Sequence, residues 1–390
     1  MSVSRRTLLA AIPATALAGC ARERPLQVAV VWSGEELRRF HEVVSGYGAV
    51  NVYSAGDNIG ALLRGPAQEV LPDVAVIPRL GLLHDPLIQG RIRRLTTRSG
   101  QPEFWRELVT PYGSGEQLGA WFKIANKSLI WYRDGQAAQP TNLAAWQPSR
   151  LAIGAADGWV LSDWFENVLL AYAPEVYRRL YHSLDSPDQW RAPEIAEVLA
   201  LLGGIWRSAF TPEQGRRALT MQFHDSILDV FVYRTADLVA APDFALPVIK
   251  RYTGGRVGVP APFPFPAYAG NPRPLVVGGD VAVAMNDGAE KAVDFVNWLT
   301  DPLTQPYALT RWVQDGGFLM PFPQGLKSGG NLQYDLSDRL IGGLEGGDGR
   351  GLWRVLTELF TNVTVNQTDP ATAASTAHDR LVAGSREGAL

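Results

Sequence analysis

The fold is decided by residues 26–44, LQVAVVWSGEELRRFHEVV. The first seven letters are a nearly continuous apolar run, which is typical of a strand covered on both faces. Ser33 followed three residues later by Glu36 has the pattern of a capping box, so a helix with one apolar face is expected to begin there. Gly46 is expected to end that helix.

Two further strands are predicted downstream, at residues 50–53 and 73–77, with Asp57 or Asn58 capping the helix between them. Strands that alternate with helices in this way predict a mostly parallel α/β sheet. Ligands of open α/β sheets bind outside the carboxyl ends of the strands. The ends in question are residues 32–35, 54–58 and 78–80.

The α/β pattern is interrupted by an aromatic-rich middle, residues 120–270, and then returns. Helices are predicted around residues 162–171 and 193–209 in the middle, and a late strand at residues 275–285 is followed by a helix at 289–299. Closing helices are predicted at residues 349–361 and 370–384. Because the strand pattern resumes after the middle, we expect the chain to cross between two lobes and back, which makes a hinge.

Composition argues against several classes of function. The 390 residues carry 36 basic and 39 acidic side chains, so the net charge of −3 lacks the cationic excess expected of a nucleic-acid-binding protein. The single cysteine cannot form a disulfide within the chain, and the five histidines are not spaced as metal ligands. We therefore expect neither a disulfide framework nor a metal site. Because phosphate-cradle and nucleophile-elbow motifs are also missing from the sequence, we expect no cofactor and no catalysis.

The first 19 residues resemble an export signal. Arg5 and Arg6 precede an uncharged stretch, residues 7–18, that is too short to span a bilayer. The paired arginines leave the Sec and twin-arginine routes both open. Leu17-Ala18-Gly19-Cys20 resembles a bacterial lipobox, which predicts lipidation of Cys20, the only cysteine, and a short linker over residues 20–25.

The middle of the chain offers sugar-binding chemistry. Most of its tryptophans are expected in the core. Trp159, in a glycine-flanked turn, and Trp164, at the start of the next helix, are expected to face a cleft. Flat rings suit the apolar face of a sugar, and the carboxylates Asp157 and Asp163 suit its hydroxyls.

An ordered set of segments resembles the extracellular solute-binding lipoproteins of ABC importers, family 1, most closely their α-glucoside-type branch. The segments are the lipobox, PDVAVIP (72–78), KSLIWY (127–132), GWVLSDWFE (158–166), GGD (278–280) and AVDFVNWL (292–299). The resemblance implies a two-lobed, periplasmic-binding-protein-like α/β fold with hinge crossovers. One lobe would comprise residues 26–120 and 276–315, and the other residues 121–275 and 316–390.

The resemblance also implies what the protein binds and where it acts. It would be a monomer, held by its lipid on the outer face of the bacterial cytoplasmic membrane, that delivers a carbohydrate to the permease subunits. By position, its cleft would be lined by Trp32, Glu35, Asp57, Asn58, Arg79, Asn126, Asp157, Trp159, Asp163, Asp243, Asp280 and Trp353. The segment 239–243 departs from the family because it lacks an aromatic residue, for which Phe265 or Tyr268 could substitute.

Two alternatives stay open from the residues. An exported glycoside hydrolase would use Asp157 with Asp163 or Glu166 as its carboxylate pair. A carrier of a glycerophosphodiester, polyamine or peptide would use Arg79 and Arg273 for phosphate, or the acidic side chains for an amine.

Overall fold

The fold is seen in a computed structural model that describes residues 24–66, 71–95, 101, 103–110, 116–133, 139–183, 186–254, 262–285, 289–301, 307–316, 332–336 and 350–387. The predicted export signal and Cys20 lie outside these residues. The strands are β1 (Leu26–Val30), β2 (Val50–Ser54), β3 (Val74–Ile77), β4 (Ile92–Arg93), β5 (Ala120–Asn126), β6 (Leu129–Tyr132), β7 (Leu151–Ala152), β8 (Leu238–Ala240), β9 (Phe263–Pro264), β10 (Leu275–Met285) and β11 (Leu332–Tyr334).

The helices fall into two groups along the chain. Those before the aromatic-rich middle are α1 (Gly34–Val44), α2 (Ile59–Arg64), α3 (Gly81–His84), α4 (Pro86–Gln89) and α5 (Glu103–Leu108). The others are α6 (Gly158–Tyr172), α7 (Pro174–His182), α8 (Pro187–Trp190), α9 (Pro193–Ala209), α10 (Pro212–Ala218), α11 (Phe223–Phe231), α12 (Ala245–Thr253), α13 (Ala289–Thr300), α14 (Tyr307–Gly316), α15 (Arg350–Thr364) and α16 (Pro370–Glu387). Within the described ranges, no helix combines the length and the apolar character needed to cross a bilayer.

The first lobe is built on a seven-stranded sheet whose main order is β11-β10-β3-β1-β2, with β4 and β5 also paired to β10. As predicted, β1 pairs in parallel with β2 and β3. The prediction of a mostly parallel sheet is nevertheless wrong, because β10 runs antiparallel to β3, β4 and β5. The reason is the path of the chain. Strands β1, β2 and β3 run toward the second lobe, whereas β10 follows the second-lobe elements and therefore runs in the opposite direction when it enters the sheet.

Alternating side chains give this sheet two apolar faces. Val28 and Val74 belong to the core on one face, which α1, α13 and α14 cover. Ala29 and Ala75 belong to the core on the other face, which continues into the second lobe. Coverage on both faces explains the continuous apolar runs of the sequence.

The second lobe has a four-stranded sheet in the order β7-β8-β6-β9. Helix α6 packs against α7, α9 and α15, and α16 packs against α9. The chain crosses between the sheets after Asn126, where β5 ends, and again between Pro264 and Leu275. The domain ranges drawn from the sequence stay a prediction, and strand pairing places residues 120–126 and 332–334 in the sheet of the first lobe.

Two local predictions are wrong. Ser33 does precede α1, but its side chain makes no capping hydrogen bond, and the Glu36 side chain, which a capping box would turn back to the Ser33 N–H, accepts from Lys123 instead. Gly158 and Trp159 form the first turn of α6 instead of a separate turn. As a result, Trp164 lies in the middle of the helix, fully buried and stacked on Trp146 at 5.4 Å between ring centroids.

Candidate functional site

A cleft of about 430 Å³ separates the two lobes. This volume falls within the usual range of small-molecule sites. The first lobe contributes α1 and α14 to the cleft, and the second lobe contributes α12. The lining side chains are Glu35, Glu36, Arg39, Pro247, Lys250, Arg251 and Trp312.

Helix α1 presents a row of charge to the cleft because its apolar residues, such as Phe40, face the sheet. Arg39 Nε donates to Glu35 Oε1 at 3.1 Å, and Arg38 pairs with the same carboxylate. The hydrogen bond from Arg38 outweighs partial burial and lowers the pKa of Glu35. Glu35 therefore faces the cleft as a carboxylate that can accept hydrogen bonds.

Behind Glu36 lies a buried charge cluster centred on Lys123 of β5. Its Nζ is 2.7 Å from Glu36 Oε1 and 3.4 Å from Asp280 Oδ2. Burial disfavours the ammonium charge, but the charges of Glu36 and Asp280 outweigh it and raise the pKa of Lys123. Burial raises the pKa of Asp280 to about 6, although Lys123 opposes the rise.

The second lobe carries an aromatic group beside the cleft: Phe244 directly precedes the cleft-lining helix α12, although neither Phe244 nor Trp159 is among the residues that line the cleft. The Trp159 ring lies 5.0 Å from Phe223 and 6.0 Å from Phe244, between centroids. Trp159 and Phe244 are half-buried, so part of each ring reaches solvent. The sequence analysis does not single out Phe244, although this residue directly follows the segment 239–243, which lacks an aromatic residue.

A second cluster of buried charge lies at the hinge. Lys127, on the crossover after β5, pairs with Asp335 and lies 3.3 Å from Asp163 Oδ1. Neither carboxylate oxygen of Asp163 accepts an aligned hydrogen bond within the described part of the chain. Burial raises the pKa of Asp163 to about 7, against the lowering effect of Lys127.

Glu166, one turn further along α6, ties the hinge segments together. Its Oε2 accepts hydrogen bonds from the Leu336 backbone N–H at 2.6 Å and from the Tyr177 hydroxyl at 2.7 Å. Complete burial, followed by the charge of Asp335, raises the pKa of Glu166 well above its usual value. Glu166 is therefore a fully buried carboxyl group that fastens the segment following β11 to α6, and Asp163 belongs to the same junction.

The carboxyl ends of β1, β2 and β3 meet at one edge, as the sequence predicted, and this edge faces the second lobe. Glu35 lines the cleft there. The Arg79 guanidinium lies 5.4 Å from the Trp353 ring of α15, so these two residues join the lobes. Asn58 is exposed at the start of α2, and the side chain of Asp57 lies outside the described residues.

Four more of the residues proposed from the sequence are held by hydrogen bonds or ring contacts within the protein: Asn126, Asp157, Asp243 and Trp32. Asp243 Oδ2 accepts from the Asn126 N–H at 2.9 Å, which fixes the first crossover. Asp157 directly precedes α6, but its side chain makes no capping hydrogen bond and accepts instead from the Phe223 N–H at 2.6 Å. Trp32 is 5% exposed and packs edge-on against Trp312 at 5.8 Å.

Comparison with known proteins adds to this geometry. No protein-family model matches the chain. An osmoprotective-compounds-binding protein from Synechocystis sp. is 25% identical over 272 residues, a match that spans 56% of this chain and 58% of that relative. The chain thus covers little more than half the length of the curated relative it matches.

Solved structures match over nearly the whole chain. A chitin oligosaccharide binding protein has a TM-score of 0.68 at 12% identity, covering 93% of this chain and 99% of its own. The maltotriose binding protein of Thermus thermophilus, solved with maltotriose, has a TM-score of 0.60 at 12% identity, covering 92% and 99%. This chain has the two-lobed fold of the solute-binding proteins. The expected fold class is therefore confirmed.

Proposed function

We propose that the protein is the solute-binding component of an ABC import system and that it holds a sugar or a sugar-like polyol between its lobes. The observation that carries the proposal is the cleft itself, about 430 Å³ in volume and walled by α1 and α14 on one side and α12 on the other. The proteins that share the fold include receptors for chitin oligosaccharides and maltotriose. The curated relative binds osmoprotective compounds.

Binding would work without chemistry. A solute that contacts both walls stabilises the closed arrangement of the lobes, because a ligand shifts an equilibrium only by its difference in affinity for the two states. Glu35 would accept hydrogen bonds from solute hydroxyls, and the Trp159 and Phe244 rings would cover its apolar face. Asp163 and Asp243 would affect binding indirectly, by fixing the hinge segments. Asp163 is paired with Lys127, and Asp243 accepts a hydrogen bond from the Asn126 N–H.

The cellular setting is part of the same proposal. Residues 1–19 would be removed on export, and lipid on Cys20 would anchor a monomer to the outer face of the cytoplasmic membrane. The permease subunits of the importer would receive the solute there. Metabolic labelling with a radioactive fatty acid should label the wild-type protein and leave Cys20→Ala unlabelled.

A thermal-shift screen tests the binding function. Because a ligand that binds only the folded state raises the melting temperature, a mono- or disaccharide is expected to stabilise the protein in proportion to the logarithm of its concentration. The same screen includes glycerophosphodiesters and polyamines, the solutes of the alternative carrier. Stabilisation by one of them and by no sugar would favour the alternative cargo.

The exported glycoside hydrolase remains a second candidate because carboxylates lie near tryptophans. Its proposed pair fits the structure poorly: Glu166 is fully buried and bonded to Leu336, and Asp157 accepts from the Phe223 backbone. A reducing-end assay with oligosaccharides separates the two functions. Turnover would support the hydrolase, and saturable binding without turnover the carrier.

Truncation of one ring tests the cleft. Trp159→Ala is expected to weaken solute affinity by on the order of 2 kcal/mol, about 30-fold, because an aromatic anchor is lost. Trp298→Ala is the matched control, since this half-buried ring packs against Tyr47 and Phe295 in the first lobe, whereas Trp159 packs against Phe223 and Phe244 beside α12 in the second lobe. Equal affinity of both variants in calorimetry would remove Trp159 from the site.

A further inference from the structure

Three aromatic rings enclose the ammonium group of Lys123. Its Nζ lies 4.8 Å from the ring centroid of Trp32, 5.6 Å from that of Trp312 and 5.8 Å from that of Phe244. We refer to these three rings as the aromatic cage. Each distance is within the range of a cation–π interaction, about 6 Å.

Two carboxylates complete the cage. Glu36 Oε1 lies 2.7 Å and Asp280 Oδ2 3.4 Å from the Lys123 Nζ. The side chain of Lys123 is 4% exposed and that of Asp280 7%, so both charges are largely removed from water. A carboxylate buried as deeply as that of Asp280 requires a cation beside it, and Lys123 supplies that charge.

The cage lies in the wall of the interlobe cleft. Glu36 and Trp312 touch both the Lys123 ammonium and the cleft. Trp32 and Trp312 belong to the first lobe, whereas Phe244 directly precedes α12 of the second lobe. The ammonium group therefore lies where the two lobes meet, next to the space that a solute would occupy.

Rings and carboxylates in this arrangement are the usual recognition chemistry for quaternary ammonium compounds. We propose that Lys123 is a tethered cation that fills the aromatic cage, excludes cationic solutes from this end of the cleft and so makes the site selective for uncharged polyhydroxylated solutes. The inference rests on the proposed function, since it names the class of solute for the same cleft. A hydroxyl group can still accept from the ammonium and donate to Glu36, whereas a methylated ammonium would meet a like charge.

The first test uses the wild-type protein. Titration calorimetry with choline, glycine betaine and tetramethylammonium is expected to show no saturable binding up to about 100 mM. Lys123→Arg, which keeps the positive charge, is expected to give the same result. Saturable binding of any of the three compounds to the wild-type cleft would overturn the proposal.

The second test empties the cage. Lys123→Ala retains Cβ, and n-propylammonium supplies the missing three carbons and the ammonium group. Propylammonium chloride is expected to raise the melting temperature of Lys123→Ala by about 3 °C or more over an equal concentration of 1-propanol with sodium chloride. The wild type should show no difference between the two additives.

The outcomes separate this inference from the proposed function. Equal responses of Lys123→Ala to propylammonium and to 1-propanol would overturn the tethered-cation proposal, whether or not a sugar binds. Rescue by propylammonium in a protein that binds no sugar would leave the cage in place and contradict only the carrier function. If Lys123→Ala does not fold, the calorimetry on wild type and Lys123→Arg still tests the proposal, because saturable binding of choline to either protein would overturn it.

Discussion

Asp163 shows how a single buried side chain can make the stability of the protein depend on pH. Burial raises its pKa from 3.8 to about 7, with Lys127 opposing the rise and Asp335 adding to it. The folded state therefore binds this proton more tightly than the unfolded state does. The stability contributed by the protonated group is fully present below about pH 4 and is lost as the pH rises through about 7.

Replacing Asp163 tests this linkage. Between pH 5 and pH 7 the free energy of unfolding of the wild type is expected to fall relative to Asp163→Asn, by at most about 1.4 kcal/mol per pH unit. Urea unfolding at several pH values measures the difference. Ser162→Ala, on the same helix, is the control, because a hydroxyl does not titrate and its cost should be constant. A constant difference for Asp163→Asn as well would contradict the shifted pKa.

At the scale of the element, the start of α6 is packed closely against α15. Its first residue, Gly158, meets α15, and a Cβ built there would lie 2.5 Å from the Trp353 Cβ. That distance is too short for two carbon atoms. The close approach explains why a glycine opens α6, and it couples the start of this helix to the Arg79–Trp353 contact between the lobes.

Two glycine substitutions separate close packing from helix propensity. Gly158→Ala is expected to destabilise the protein by about 1–3 kcal/mol, because α6 and α15 must move apart. Gly204→Ala, inside α9, has open space around the added methyl group and is expected to stabilise by about 0.5–1 kcal/mol. Thermal or urea unfolding of both variants gives the comparison. Stabilisation by Gly158→Ala would contradict this expectation, because it would show that α15 can move away from α6 without destabilising the protein.

At the scale of the whole molecule, the two lobes share one apolar core. The contiguous cluster of buried side chains contains Ile77 and Trp121 from the first sheet and Trp131 and Leu169 from the second lobe. Charged pairs on the crossovers, such as Lys127 with Asp335, hold the same junction. Lobes joined in this way are expected to unfold together.

Calorimetry tests this cooperativity. A single transition, with equal calorimetric and van't Hoff enthalpies, is expected for the described lobes. Ile77→Ala in the first lobe and Leu169→Ala in the second remove fully buried side chains, and each is expected to cost about 2–5 kcal/mol and to shift that one transition. Two transitions, each responding to only one variant, would show that the lobes are independent.

The sequence by itself determined the elements. Periodicity predicted residues 193–209 and 275–285 with the bounds that α9 and β10 have, because hydrophobic patterning is set by neighbours along the chain. It also placed the ends of β1, β2 and β3 at one edge, since parallel strands of one sheet share their direction. The two-lobed organisation followed from the interruption and return of the strand pattern.

The tertiary structure alone decided the roles of the charged and aromatic side chains. Lys127 and Asp335, 208 residues apart, form a buried pair, and Glu36 meets Lys123 across 87 residues. Trp159 and Trp164 look alike in the sequence, yet only the first keeps a half-exposed ring beside Phe244. Burial and charge pairing depend on which distant segments come together, and local patterning contains no record of that arrangement.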